Sequence, residues 1–210
     1  MIIPYKAIRK TLANSTRTQR CWDLAQTISQ EHIEIIVDSV RAAPVKQNYA
    51  YFHLHVVTNR SRVEQLYSHT QGFGFPDSSE PTGLRLEHNS QVMANCVLVF
   101  EPYDTGENLN RNLERAQGKL DSLRHDQMTA ISMAAAYANY TSHLVGLRTG
   151  FCGCFYPEGV KHTLDLEHNP TLMLGIGYPD RAKHRCKHHV DNTITYPSHP
   201  KEPVPVTRHT

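Results

Sequence analysis

The stretch from Asp126 to Val145 limits the fold more than any other part of the chain. Met128, Ile131, Ala134, Ala135, Ala138, Leu144 and Val145 recur at helical spacing, small residues fill most positions between them, and Gly146 supplies a C-terminal cap. A helix this apolar and alanine-rich is either buried deep in a domain or set in a subunit interface. The rest of the chain must be able to wrap it.

The chain has the means. Two hundred and ten residues, 39% of them hydrophobic, make one domain with a full core. Ser29 caps a second helix, with Glu31 in its first turn and Ile33, Ile36, Val37 and Val40 on one face until Pro44 stops it. From Tyr51 to Thr58, Phe52, Leu54 and Val56 alternate with His53 and His55, the pattern of a half-exposed strand whose histidines decorate the surface. Cys96 to Phe100 and Thr171 to Ile176 are continuous apolar runs suited to buried strands. Helices and strands alternate irregularly, and no Gly-x-Gly-x-x-Gly turn follows the first strand, so the reading is an α+β domain over 1–210 rather than a doubly wound sheet. Thr70 to Asn89, with three glycines and two prolines, reads as a long loop and a mobile cover. Residues 104–125 read as an exposed helical insertion, and the proline-rich end from Tyr196 as an extended tail.

Charge excludes some functions. With 22 Lys+Arg against 20 Asp+Glu the formal net charge is +2, too small for a nucleic-acid-binding field, so any anion site must be local. No apolar run approaches the ~20 residues that span a bilayer, and the start, Met-Ile-Ile-Pro-Tyr-Lys, lacks signal-peptide order. A cytoplasmic protein is expected. Five cysteines, an odd number in a chain large enough to fold without staples, are then expected as thiols, with the sequons at Asn14, Asn59 and Asn139 idle.

Four clusters can carry chemistry. Thr16-Arg17-Thr18-Gln19-Arg20-Cys21-Trp22 puts two cations and two hydroxyls in one turn ahead of a helix, either an anion site or a solvated basic stretch. Ala43-Pro44-Val45-Lys46-Gln47-Asn48 is a loop running from helix to strand, either an ordinary turn or a set of donors and acceptors able to read a heterocycle edge. Gly146 to Phe155 contains Gly150 and Gly153, which allow close backbone approach to a ligand. His184-Arg185-Cys186-Lys187-His188-His189 is a basic cluster after the last strand.

Their order resembles the nitroreductase-like family of FMN flavoproteins. Residues 16–22 are similar to the family's Arg-Arg-Ser-x-Arg-x-Phe, and 43–48 to its Ala-Pro-Ser-x-x-Asn. Asp126 to Phe155 resembles its long central helix with the following glycine-rich segment, and Leu174-Gly-Ile-Gly-Tyr-Pro179 its closing strand. The resemblance implies a mixed, mostly antiparallel sheet flanked by helices, in an intertwined homodimer with FMN at the interface, the central helix as a dimer contact and residues 190–210 reaching the partner subunit. It implies Thr16, Arg17, Thr18 and Lys187 near the flavin phosphate and ribityl chain, with Arg185 or His188 as alternatives. Arg20 would stand at N1 and the C2 carbonyl, where a fixed cation favours the reduced flavin. Pro44, Val45, Lys46 and Asn48 would meet the pyrimidine edge, and the Gly153 or Cys154 N–H would reach N5. The implied reaction is ping-pong hydride transfer from NAD(P)H to a nitroaromatic, quinone or similar acceptor.

Two other classes compete. The family's serine and Gln-Pro-Trp are replaced here by Val45 and Tyr49-Ala50-Tyr51, which suits a flavin-binding protein without turnover. Cys152, Cys154, Cys186 and His188 make up a zinc-type ligand set, although Cys-x-Cys is tighter than the usual spacing.

Overall fold

Ser29 acts as the sequence predicts: its side chain accepts from the His32 N–H at 3.3 Å and opens α2 (Gln30–Arg41), whose Ile33, Ile36 and Val40 are buried. A computed structural model describes residues 4–103 and 106–208. The long helix, α5 (Leu120–Leu144), buries Leu123, Ala130, Ile131, Ala134, Ala135 and Ala138. It starts six residues before Asp126 because Leu123 continues the buried face by one more turn. Gly146, at φ +86°, supplies the left-handed residue after its C-terminus. Burial is one-sided, however: Met128, Met133, Tyr137 and Leu144 are 42–48% exposed, Met133, Tyr137 and Leu144 as an apolar stripe along one flank of the helix and Met128 on the other.

The main sheet runs in the order β1 (Phe52–Val57), β4 (Cys96–Pro102), β6 (Leu172–Gly177), β5 (Arg148–Cys152). All its pairings are antiparallel. β4 is buried throughout and feeds two cores by alternation. Leu98 and Phe100 join Leu174 and Ile176 beneath α2 and α5, while Val97 and Val99 join Met173 and Cys152 on the opposite face. That second face is covered by α3 (Arg60–Ser68) and α6 (Pro157–Leu164) through Val63, Leu66 and Val160. An α+β architecture with a sheet between helices results.

Three expectations are corrected, and a fourth, the exposed helical insertion over 104–125, is only qualified. The basic stretch at 16–22 does not precede a helix but follows α1 (Tyr5–Ser15), whose C-cap is Thr16. The segment 70–89 is not a bare loop: β2 (Phe73–Pro76) and β3 (Leu84–Glu87) form a hairpin, whose Phe73 and Phe75 meet the ring of Tyr196. Period-2 alternation was present, hidden among glycines and prolines. Within 104–125, Asn112 of α4 (Gly106–Arg115), Ala116 and Leu123 are buried, and Asn112 Nδ2 donates to Ala50 O at 3.2 Å. Residues 190–196 fold back on their own chain, with Ile194 and Tyr196 buried and the Tyr196 N–H bonded to Cys186 O at 2.8 Å. Of the described residues after Tyr196, those from 197 to 208 are extended and exposed.

Gly150 and Gly175 pair across β5 and β6. Their bare backbone is a floor on which two irregular segments lie. A Cβ on Gly150 would come 2.6 Å from Gln19 O, and one on Gly175 would overlap Gln91 O. The segment after α1 is held there by Gln19 N–H to Thr149 O (2.8 Å), Asp23 N–H to Tyr178 O (2.9 Å) and Trp22 Nε1–H to Ser90 O (2.8 Å). Among the described residues no helix is long and apolar enough to cross a membrane.

Candidate functional site

Once the segment after α1 lies along Gly150, its next residues meet the end of the chain. The Arg20 N–H donates to Arg185 O at 2.9 Å, and Arg185 Nη1 returns a bond to Thr18 O at 2.9 Å. This ladder joins two stretches 165 positions apart and places their guanidinium groups together. A cavity of about 540 Å³ opens between them, lined by Thr16, Arg17, Thr18, Arg20, Arg185 and Lys201, with Ser15, Phe151 and 197–200 completing the wall. None of its lining residues is acidic. Four cations without a carboxylate suit an anion.

Arg20 is the best prepared of them. Its guanidinium stands 5.8 Å from the ring centre of Phe73 and 5.6 Å from that of Tyr196, so two aromatic faces orient it. Burial, with Arg185 nearby, lowers its pKa from the ordinary arginine value, although an arginine stays charged at any physiological pH. Its Nε is buried and has no hydrogen-bond partner. The Cys186 thiol lies beside the same guanidinium and helps to hold its charge. Arg185 Nη2 is bonded to Ser198 Oγ at 2.7 Å, which ties the first part of the tail over the opening.

The other basic candidates are spent elsewhere. Lys187 Nζ donates to Asn192 O at 2.9 Å. His188 is buried; its Nδ1 accepts from the N–H groups of Val190 (3.2 Å) and Asp191 (3.0 Å), so it closes a turn. Of the three alternatives for the end of the chain, Arg185 alone lines the cavity. Phe73 and Tyr196, which flank Arg20, and Lys201, which lines the cavity, were missed, because isolated residues in glycine- and proline-rich stretches give no periodic signal and their approach to the arginine cluster is purely tertiary.

The Pro44–Asn48 loop lies apart. Val45 and Asn48 line a separate, largely apolar cavity of about 520 Å³ with Val40, Ala43, Phe52 and Leu54. Lys46 reaches α5 instead, bonded to Asp126 Oδ2 at 2.6 Å. That cavity borders β1 and the arginine-lined one borders β5, at opposite edges of the four-stranded sheet. Three strand spacings, about 14 Å, separate those edges. One copy of the chain does not bring the two halves of the predicted flavin site together.

The glycines divide. The close approach at Gly150 serves Gln19, not a ligand, whereas a Cβ on Gly153 would meet nothing within 4 Å. The space around the Gly153 and Cys154 backbone is therefore open to an incoming ring, while Cys154 O accepts from the Gln71 N–H at 2.9 Å. The zinc set does not assemble. Among the described residues the metal-capable grouping is His53, His55 and Glu101, without Cys152, Cys154, Cys186 or His188. Burial also pushes the Cys152 thiol up to about 11, away from the thiolate that a metal needs. All five cysteines are free.

No curated protein matches the sequence. The solved structure of ydfN from Bacillus subtilis, a candidate nitroreductase, is 15% identical, with a TM-score of 0.68 over 95% of this chain and 97% of the other. A candidate NAD(P)H:FMN oxidoreductase from Staphylococcus epidermidis is 16% identical, with a TM-score of 0.65 over 87% and 92%. An FMN-dependent nitroreductase from Clostridium difficile R20291 is 15% identical, with a TM-score of 0.56 over 84% and 88%. At these identities the likeness is one of fold. The sequence itself matches the model of the Nitroreductase family over residues 13–178, from the end of α1 through β6, and on that match the chain belongs to the nitroreductase family.

Proposed function

We propose that the protein is an FMN-dependent oxidoreductase that draws electrons from NAD(P)H and reduces a small oxidised acceptor, a nitroaromatic, a quinone or a similar molecule. The observation that carries this reading is Arg20: a half-buried cation with an unpaired Nε, oriented by two rings in an acid-free cavity, within a chain of the nitroreductase family.

The residues fit the cofactor. Arg17, Arg185 and Lys201 would pair the phosphate dianion, with Thr16 and Thr18 beside the ribityl chain, because a partly buried dianion needs fixed partners. Arg20 would face N1 and the C2 carbonyl, holding positive charge where negative charge accumulates on reduction. The open backbone at Gly153 and Cys154 would offer an N–H toward N5. The bound flavin supplies the two-electron chemistry. The protein contributes position, charge and exclusion of water.

The Pro44–Asn48 loop, at the far edge of the sheet, would complete the site from a second copy. A homodimer is supported by the apolar stripe on α5 and by Leu84 and Leu86, which are 48% and 73% exposed on the outer face of the β2–β3 hairpin. In such a dimer Val45 and Asn48 of one protomer would lie against the flavin edge held by its partner's arginines. The reading places the enzyme in the cytoplasm with reduced thiols.

The test is the visible spectrum of the protein as purified, followed by anaerobic mixing with NADH and with NADPH. A flavin band that bleaches within seconds is expected. A colourless protein that takes up no added FMN would overturn the cofactor assignment. A band that persists with both nucleotides would instead establish a flavin-binding protein without turnover.

A further inference from the structure

A second site lies far from the arginines, on the sheet face covered by α3 and α6. In the register of β1 and β4, His53 stands directly opposite Glu101. His55, two residues along the same face, is its diagonal neighbour. Glu101 Oε2 is 2.6 Å from His55 Nε2 and 3.9 Å from His53 Nδ1, and the two imidazole rings are 4.2 Å apart between centres. The three side chains thus turn three ligand atoms to one point, all within 4.8 Å of one another.

We propose that His53, His55 and Glu101 form a binding site for a divalent transition-metal ion of the zinc type. Two imidazoles and one carboxylate are a recurrent ligand set for such ions, and three protein ligands leave a coordination position open. Bonds of about 2.1 Å in tetrahedral geometry put ligand atoms about 3.4 Å apart. Reaching that arrangement opens the 2.6 Å His55–Glu101 contact and draws in His53, whose side chain is 58% exposed and has room to turn.

The surroundings favour a cation. Glu101 is only 4% exposed at its side chain, and its ion-pair partners among the described residues are the two histidines; a buried carboxylate needs a positive partner. Its second oxygen accepts from the His168 backbone N–H at 2.5 Å, which fixes the orientation of the first toward the imidazoles. The cavity outside, about 410 Å³, is lined by these residues together with Tyr103, Asp165, Leu166, Glu167 and His168. It holds three carboxylates and three histidines, with no lysine or arginine. The C-terminus of α6, capped by Asp165 in the left-handed conformation, adds the negative end of a helix dipole at the same wall.

The test uses the full chain with whatever flavin it carries, stripped of metal by a chelator, in a Cys154→Ser background that removes the exposed thiol as a competing ligand. Calorimetric titration with Zn²⁺ is expected to show one ion per chain, with visible d–d absorption when Co²⁺ replaces it. Affinity should fall at least about tenfold in His53→Ala, in His55→Ala and in Glu101→Gln, and stay unchanged in His162→Ala, a surface histidine of α6. Because His53 is exposed, its variant keeps the test readable even where Glu101→Gln disturbs folding. No saturable binding by the parent chain would overturn the proposal, as would undiminished affinity in the His53→Ala/His55→Ala double variant.

Discussion

Replacing Gly150 by alanine adds one methyl group between the sheet and the segment that carries Arg20. The new Cβ would stand 2.6 Å from Gln19 O and 2.9 Å from Gln91 Cβ, both closer than real Cβ contacts permit. Neither neighbour gives way easily. Gln19 is tied by its own N–H to Thr149 O at 2.8 Å, and Gln91 Nε2 is bonded to Phe151 O, so both are anchored to the strand that would push them off. Overpacking of this kind costs about 1–3 kcal/mol, and the lower entropy of the unfolded alanine chain returns about 0.4–1 kcal/mol. The net loss is about 1–2 kcal/mol, which for a chain of this length lowers Tm by roughly 2–8 °C. Urea unfolding followed by far-UV circular dichroism measures it, with an unchanged m-value showing that the unfolded state is not the source. Gly153→Ala is the internal control: its Cβ has nothing within 4 Å, and its stability should equal or slightly exceed the parent's. Since Arg20 follows Gln19 directly, Gly150→Ala should also weaken FMN binding. A Gly150→Ala protein as stable as Gly153→Ala would refute the close-packed floor and the positioning of Arg20 that rests on it.

Asn95→Ala should cost about 2–4 kcal/mol, because its Nδ2 donates to Asp23 O (2.9 Å) and Gln26 O (2.7 Å) while its Oδ1 accepts from the Tyr178 N–H (3.0 Å); thermal unfolding would detect this, and a loss under 1 kcal/mol would contradict the clamp. Arg185→Ala should weaken FMN binding by about 1.5–3 kcal/mol, roughly 10- to 150-fold, and Lys187→Ala should leave it nearly unchanged, as fluorescence titration of the apoprotein would show. His143 is expected to make the fold acid-sensitive. Burial, with Arg148 adding, depresses its pKa to about 4, below the unfolded value of 6.5, so the neutral ring is the folded form. The Thr149 hydroxyl donates to Asn139 Oδ1 and accepts from His143 Nε2, which leaves Nδ1 a buried acceptor without a partner. Its contribution is complete above about pH 6.5 and is lost as pH falls toward 4, by up to about 2–3 kcal/mol. His143→Gln should flatten that part of the stability profile; an unchanged slope would exclude His143 as its source.

The sequence revealed what burial makes periodic. β4 and β6 read as apolar runs and α2 as a capped amphipathic helix, since their residues face a core that selects them. α1 went unread because its apolar stripe, Tyr5, Ile8 and Leu12, is short and buries no residue. The β2–β3 hairpin was illegible because only Phe73 and Phe75 face inward, toward Tyr196, while Leu84 and Leu86 face out. In the site, the charge clusters at Arg17–Arg20 and Arg185 were visible and the structure does join them. Lys46 was a reasonable donor by type, yet its partner Asp126 is 80 positions away, and nothing local announces such a pair. The paired imidazoles on β1 looked like surface ornament because their third member, Glu101, sits in what reads as the end of an apolar strand.

The strand order has a consequence for how the chain is made. β6 lies between β4 and β5, yet it is the last strand of that sheet in the chain. During synthesis β4 can pair with β1, but its other edge stays open while roughly 70 further residues emerge, about 4–14 s at ordinary translation rates. β5 has no neighbour at all until β6 follows it. α5 is completed within that interval and can cover one face of the β1–β4 pair, with the open edge and the second face still exposed. The nascent chain therefore carries β4, buried along its whole length in the finished fold, with one edge open until the last strand arrives, and a chain cut short before Leu172 would lack the strand that makes its two halves one sheet.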